Sequence, residues 1–122
     1  MMQTEEFIRI SPEAVMKILC ERYGYHDHEA DVGGRRRQTR WPFPSTIEVW
    51  QDGEDEYRLG QALNLSLGGV GAVMDAPLVP GRRLNVAIHE PEATLYGEVT
   101  VRHCAPTGDK HHVGFEFVYR NE

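Results

Sequence analysis

The feature that most constrains the fold of this chain is a series of short segments that begins after Pro44. Apolar and polar residues alternate within several of them, as they do in strands with one buried face. Residues that favour turns, mainly glycine, proline, asparagine and aspartate, separate the segments. The pattern predicts six strands, at 46–50, 57–63, 70–74, 84–88, 95–104 and 113–119. So many short strands in succession indicate a mainly β fold, a small barrel or sandwich.

One helix is predicted before the strands. Ser11 is a favourable N-cap, Pro12 suits the first helical position, and Gly24 stands where a C-cap glycine would. We therefore expect a helix over 12–23. Its single apolar stripe follows from the helical spacing of Ala14, Val15, Ile18, Leu19 and Tyr23.

The remaining segments divide the chain into two parts. Residues 24–34 are polar and bounded by glycines, which is typical of a linker. Pro42 and Pro44 exclude a helix and favour extended chain. We expect residues 1–34 to form the N-terminal helix and linker, and residues 35–122 to form the β domain.

Composition excludes several classes of function. The 122 residues suffice for one domain, and a formal net charge of −6 argues against general binding to DNA, RNA or an anionic membrane. No apolar run approaches the roughly 20 residues of a membrane span. The acidic N-terminus does not resemble a signal peptide, and two cysteines are too few for a disulfide framework. We expect a cytoplasmic protein with no membrane insertion.

Against this acidic background, four arginines cluster at Arg35, Arg36, Arg37 and Arg40. Arg36 and Arg40 form an R-x-x-x-R motif in the loop before the strands. Arginine binds phosphate and paired base acceptors with two parallel hydrogen bonds. A local cationic patch on an acidic protein therefore indicates a small anionic ligand rather than a long polyanion.

A second motif follows one predicted hairpin later, where residues 64–69 read NLSLGG, an N-x-S-x-x-G spacing. The two motifs in this order resemble the PilZ domain family. Two further stretches fit its pattern: residues 69–73 (GVGAV), directly after the second motif, and residues 113–117 (VGFEF), near the end. The resemblance covers roughly residues 35–119. It implies a six-stranded antiparallel β-barrel, preceded here by an α-helix, that binds cyclic di-GMP through both motifs.

The resemblance also implies a ligand site, whose members suit the chemistry of cyclic di-GMP. An arginine fork matches O6 and N7 of guanine, an asparagine amide and a serine hydroxyl read polar edges, and a glycine permits close backbone approach or a positive φ. One departure is Asn64, where many family members have aspartate. Trp41 either stacks on a guanine or covers the barrel as an apolar lid. The predicted ligand-binding residues are Arg35, Arg36, Arg40, Trp41, Asn64, Ser66, Gly68 and Gly69.

These expectations define a receptor that signals through an unidentified protein partner and is not an enzyme. No nucleophile–base arrangement and no convincing metal-ligand spacing is present, so we expect no catalytic residue, metal or cofactor. In similar proteins an arginine at the position of Arg35 tends to accompany two ligand molecules per protomer. The alternative function is a PilZ-like interaction scaffold that has lost nucleotide binding.

Overall fold

The structure is a computed structural model that describes residues 6–24 and 40–120. Most of these residues are in β-strands. The elements are β1 (Glu6–Arg9), α1 (Pro12–Tyr23), β2 (Trp41–Trp50), β3 (Tyr57–Leu65), β4 (Gly69–Met74), β5 (Arg83–His89), β6 (Ala93–Thr107) and β7 (Lys110–Val118). The predicted helix is confirmed residue for residue. The Ser11 hydroxyl accepts a hydrogen bond from the Ala14 amide at 3.1 Å, and Gly24 ends the helix with φ 67°.

The sheet closes on itself. Its strands follow the order β6-β5-β2-β3-β4-β7, every neighbouring pair is antiparallel, and β7 pairs back with β6. This confirms the predicted six-stranded antiparallel barrel. Closure leaves no open edge among these six strands.

An additional strand, β1, was not predicted. It pairs in parallel with the start of β6, with Glu6 opposite Ala93 and Arg9 opposite Tyr96. A four-residue strand is too short for alternation to be recognised. Its partner lies far away in sequence, so there is no hairpin turn from which the pairing could be predicted.

β2 begins at Trp41, five residues before the predicted start. Phe43, Ser45, Ile47 and Val49 are buried in alternation, so one face points inward along the whole strand. The pairing with β3 shifts register between Pro42 and Ser45. Such an irregularity accommodates proline, which lacks the amide proton of a regular ladder.

Helix α1 packs on the barrel core. Val15 and Leu19 are fully buried within the cluster that also holds Phe43, whereas Ile18 is only partly buried. The helix C-terminus is further tied to the barrel by Arg22, which forms an ion pair with Glu90 and lies 4.7 Å from the centre of the Phe43 ring. The described helix is neither long nor apolar enough to cross a membrane.

Candidate functional site

The second sequence motif forms a tight turn between β3 and β4, here called the 66–69 turn. The Ser66 hydroxyl oxygen accepts hydrogen bonds from the amides of Gly68 and Gly69, both at 3.2 Å. The Ser66 amide in turn donates to the Gly69 carbonyl at 2.9 Å. Ser66 therefore shapes the turn itself, and its own hydroxyl proton has only a long 3.5 Å contact, with the Gly69 carbonyl.

Two hydrogen bonds hold the turn from outside, one donated by β7 and one by a residue that follows β7. The Phe117 amide donates to the Gly68 carbonyl at 2.8 Å. The Tyr119 hydroxyl donates to the Leu67 carbonyl. Burial, and secondarily the negative charge of Glu13, raises the pKa of Tyr119 well above its usual range, so this phenol remains a donor at physiological pH. The backbone groups of the turn are thereby held in a defined orientation.

Gly69 is required for strand packing. A Cβ atom at this position would lie 1.9 Å from the carbonyl oxygen of Phe115 on β7. Gly69 does not have a positive φ, so of the two alternatives for this glycine the close backbone approach remains. The close backbone approach that glycine permits here is between β4 and β7.

A cleft of about 270 Å³ opens beside this turn, and we call it the arginine cleft. Arg40 lies at one side of it, and the 66–69 turn contributes Ser66, Gly68 and Gly69. Arg40 of the first motif and three residues of the second motif thus line the same cleft, while their role in binding stays a prediction. The remaining lining residues are Val70, Arg102, His103, Gly114, Phe115 and Glu116.

Sequence reasoning missed the polar residues that β6 and β7 add to the arginine cleft. Arg102 and Glu116 are both more than half exposed, and a guanidinium nitrogen of Arg102 lies 3.5 Å from a carboxylate oxygen of Glu116. Arg102 stands where the β6–β7 register shifts, between Val101 and His103. The position of a bulge cannot be recognised from alternation alone. The sequence therefore gave no signal that the Arg102 side chain points outward at this bulge.

Asn64 is not among the residues lining the arginine cleft. It is half-buried on β3, and its amide oxygen would lie 2.8 Å from a Cβ atom on Gly71. Gly71 pairs with Gly114, over which the His103 ring lies. Two strands, β4 and β7, therefore lie between Asn64 and His103 on the outer wall, and the role of Asn64 in binding stays a prediction.

Trp41 contacts helix α1. Its ring stacks on Tyr23, with centroids 5.0 Å apart and planes inclined by 18°. One face of the indole is thus covered by the protein, and the choice between guanine stacking and an apolar lid stays a prediction. Arg35 and Arg36 lie outside the described residues.

The described residues contain no group of three or more histidines, cysteines or carboxylates placed to hold a metal ion. The His103 and His112 rings stack at 5.8 Å, but within residues 6–24 and 40–120 no third potential metal ligand joins them. The polar groups of the arginine cleft offer hydrogen bonds and charge to a ligand.

Comparison with known proteins agrees with this architecture. The chain resembles the Bacillus subtilis inhibitor of motility MotI/DgrA (22% identity, TM-score 0.56, covering 68% of this chain and 42% of that one). It also resembles the PilZ domain of Escherichia coli YcgR solved with c-di-GMP (17%, 0.57, covering 69% and 78%). A further match is the crystal structure of YcgR in complex with c-di-GMP (21%, 0.58, covering 69% and 38%).

The chain spans less than half the length of MotI/DgrA and of the longer YcgR chain. No curated protein sequence matches it significantly. The PilZ domain family model, however, matches residues 34–122, which is most of the sequence and includes the whole barrel. The chain therefore belongs to the PilZ domain family.

Proposed function

We propose that this protein is a cytoplasmic receptor for cyclic di-GMP that binds the messenger in the arginine cleft and is not an enzyme. The observation that carries the proposal is the meeting of Arg40 with the 66–69 turn on the outer wall of the barrel. Solved relatives of the same family hold c-di-GMP. Family membership and this juxtaposition support the same ligand.

The chemistry of the cleft fits a molecule with two phosphates and two guanines. Arg40 and Arg102 present guanidinium groups that bind a phosphate or the O6 and N7 acceptors of guanine. The Glu116 carboxylate is placed to accept the N–H groups on the opposite edge of a guanine. The hydroxyl proton of Ser66, which has only a weak partner, is available to an acceptor on the ligand.

The arginines that precede the barrel complete the proposed site. Arg36 is the partner of Arg40 in the R-x-x-x-R motif, and Arg35 is its neighbour in sequence, so with Arg102 the proposed site has four guanidinium groups. Two stacked ligand molecules double the anionic charge and offer more base surface to cover. We therefore propose two cyclic di-GMP molecules per protomer.

Binding is transmitted, in this proposal, through helix α1. Arg40 is followed directly by Trp41, which stacks on Tyr23 at the helix C-terminus. The Tyr23 hydroxyl also donates to the carbonyl of Pro42. A ligand that draws Arg40 toward the 66–69 turn also acts on these contacts of Tyr23. It shifts the helix position to the extent that the ligand binds one position of the helix more tightly than the other. The repositioned helix then alters binding to a protein partner.

Isothermal titration tests the proposed ligand. Cyclic di-GMP is titrated into the protein, with cyclic di-AMP as the matched comparison because it shares the phosphates and lacks guanine O6. We expect binding of cyclic di-GMP and at least a tenfold weaker response to cyclic di-AMP. A folded protein that binds neither nucleotide would refute the proposal and favour the interaction scaffold.

A further inference from the structure

A second depression lies between α1, β1 and the β5–β6 turn, away from the arginine cleft. This acidic groove has a volume of about 620 Å³ and shares no lining residue with the arginine cleft. Its exposed apolar surface comes from the partly buried Ile8 and Ile18 and from Pro91, while Leu95 beneath them is buried. The groove therefore offers an apolar floor to a binding partner.

The rim of the acidic groove is strongly negative. Among the described residues, four carboxylates line it against one cation, Arg22, which is already paired with Glu90. Three of the four are exposed and project from separate elements. These are Glu6 on β1, Glu21 on α1 and Glu92 in the β5–β6 turn.

Glu90 gives the groove a feature that a solvated acidic face lacks. Its side chain is only 8% exposed, and one carboxylate oxygen accepts from Arg22. The other oxygen, Oε2, is buried with no hydrogen-bond partner among the described residues. A buried carboxylate oxygen without a donor is costly, and a cationic donor from a ligand would relieve that cost.

The chemistry of the groove indicates which occupant fits. Within 6–24 and 40–120 no metal-holding group of side chains exists, which disfavours a metal ion. A nucleotide phosphate is repelled by the acidic rim. Lysine or arginine side chains match the rim, while apolar side chains between them match the floor.

We propose that the acidic groove is the docking surface for a basic, amphipathic segment of a protein partner, in which lysines or arginines alternate with apolar residues. The inference rests on the proposed receptor function for its link to the messenger. That link is helix α1, since Arg22 lines the groove and the adjacent Tyr23 stacks on Trp41, next to Arg40. One helix end therefore contacts residues of the groove and a neighbour of the arginine cleft.

Fluorescence anisotropy tests the groove with a defined probe, a fluorescein-labelled peptide of repeated Lys-Leu-Arg-Leu units at near-physiological salt. A peptide of Lys-Ser-Arg-Ser units carries the same charge without the apolar residues and is expected to bind at least fivefold more weakly. The triple variant Glu6→Gln, Glu21→Gln, Glu92→Gln is expected to weaken binding of the first peptide about tenfold. Glu90→Gln, which retains an acceptor for Arg22, is expected to weaken it about fivefold.

The matched control is the triple variant Glu54→Gln, Asp55→Asn, Glu56→Gln. It removes the same charge from the β2–β3 turn, at the opposite end of the barrel from the β5–β6 turn, and should change peptide affinity less than twofold. Equal weakening by both triple variants would mean that only net charge matters and would overturn the proposal.

Titration of the same variants with cyclic di-GMP separates this proposal from the receptor function. Both triple variants should bind the nucleotide like the wild type. Peptide binding that depends on the groove, in a protein that never binds cyclic di-GMP, would sustain the docking surface and refute the receptor. The reverse result would refute the docking surface alone.

Discussion

The hydroxyl of Ser66 organises the 66–69 turn by accepting two backbone amides. Ser66→Ala leaves both amides without that acceptor, so we expect a loss of roughly 1–3 kcal/mol in the free energy of unfolding. Urea denaturation measures it. Ser45→Ala is the matched control, because the buried Ser45 hydroxyl has no hydrogen-bond partner among the described residues. Its removal should be nearly neutral, and an equal loss in both variants would contradict the assigned role.

Arg40 has a different kind of role, since it is exposed and its effect should appear in binding rather than in stability. We expect Arg40→Ala to weaken cyclic di-GMP binding by about 1.5–3 kcal/mol, the size of a charge-assisted hydrogen bond. Arg36→Ala should do the same. Calorimetric titration measures both.

The control for these two variants is Arg58→Ala, which removes an exposed arginine at the opposite end of β3 from the 66–69 turn. It should bind like the wild type. Wild-type affinity in both the Arg36 and the Arg40 variant would place the ligand elsewhere.

At the scale of single elements, helix α1 is part of the hydrophobic core rather than an appendage. Leu19 is fully buried, so Leu19→Ala should cost about 2–5 kcal/mol of stability. Thermal or urea denaturation checks this. Lys17→Ala, on the exposed side of the same helix, should stay within about 0.5 kcal/mol of the wild type. A neutral Leu19→Ala would show that the helix does not close the core.

Movement of the helix on binding is a separate prediction. Tyr23 stacks on Trp41, the residue after Arg40. Ligand binding at Arg40 should therefore affect the last turn of α1 more than the rest of the helix. Hydrogen exchange with and without cyclic di-GMP should change protection in residues 12–23 as well as around the 66–69 turn. Protection limited to the turn and its neighbours would mean that the helix takes no part in signalling.

The elements also show which parts of the fold the sequence could predict. The ends of the helix are marked by three local residues, Ser11, Pro12 and Gly24, and the barrel strands show alternation, so both were recognised. β1 and the bulges depend on pairing between distant residues, which leaves no local pattern. The same limit explains why Arg40 and Ser66 were predicted for the site while Arg102 and Glu116 were not. Only the first two belong to a contiguous motif.

At the scale of the whole molecule, the arginine cleft and the acidic groove are two regions of opposite charge. The cleft favours an anionic ligand, and the groove favours a cationic partner. The messenger and the partner would then bind at different places on one barrel. This arrangement agrees with a net charge of −6, since the anionic ligand would meet a local arginine patch rather than the whole surface.

The number of ligands is also a property of the whole molecule. We expect calorimetric titration to saturate at two cyclic di-GMP molecules per protomer, with Arg35→Ala reducing this to one. The concentration of active protein is determined independently from the fraction of folded protein. Saturation of the wild type at one equivalent would rule out the paired ligand.

Cyclic di-GMP is proposed to bind on the outer wall of the barrel, where Arg40 meets the 66–69 turn. Amide chemical-shift mapping of the isotope-labelled protein tests this proposal most directly. Titration should shift the amides of Gly68, Gly69, Val70 and Arg102, and leave residues 52–56 at the other end of the barrel unchanged. Shifts that spare the 66–69 turn, or that concentrate at residues 52–56, would contradict the account.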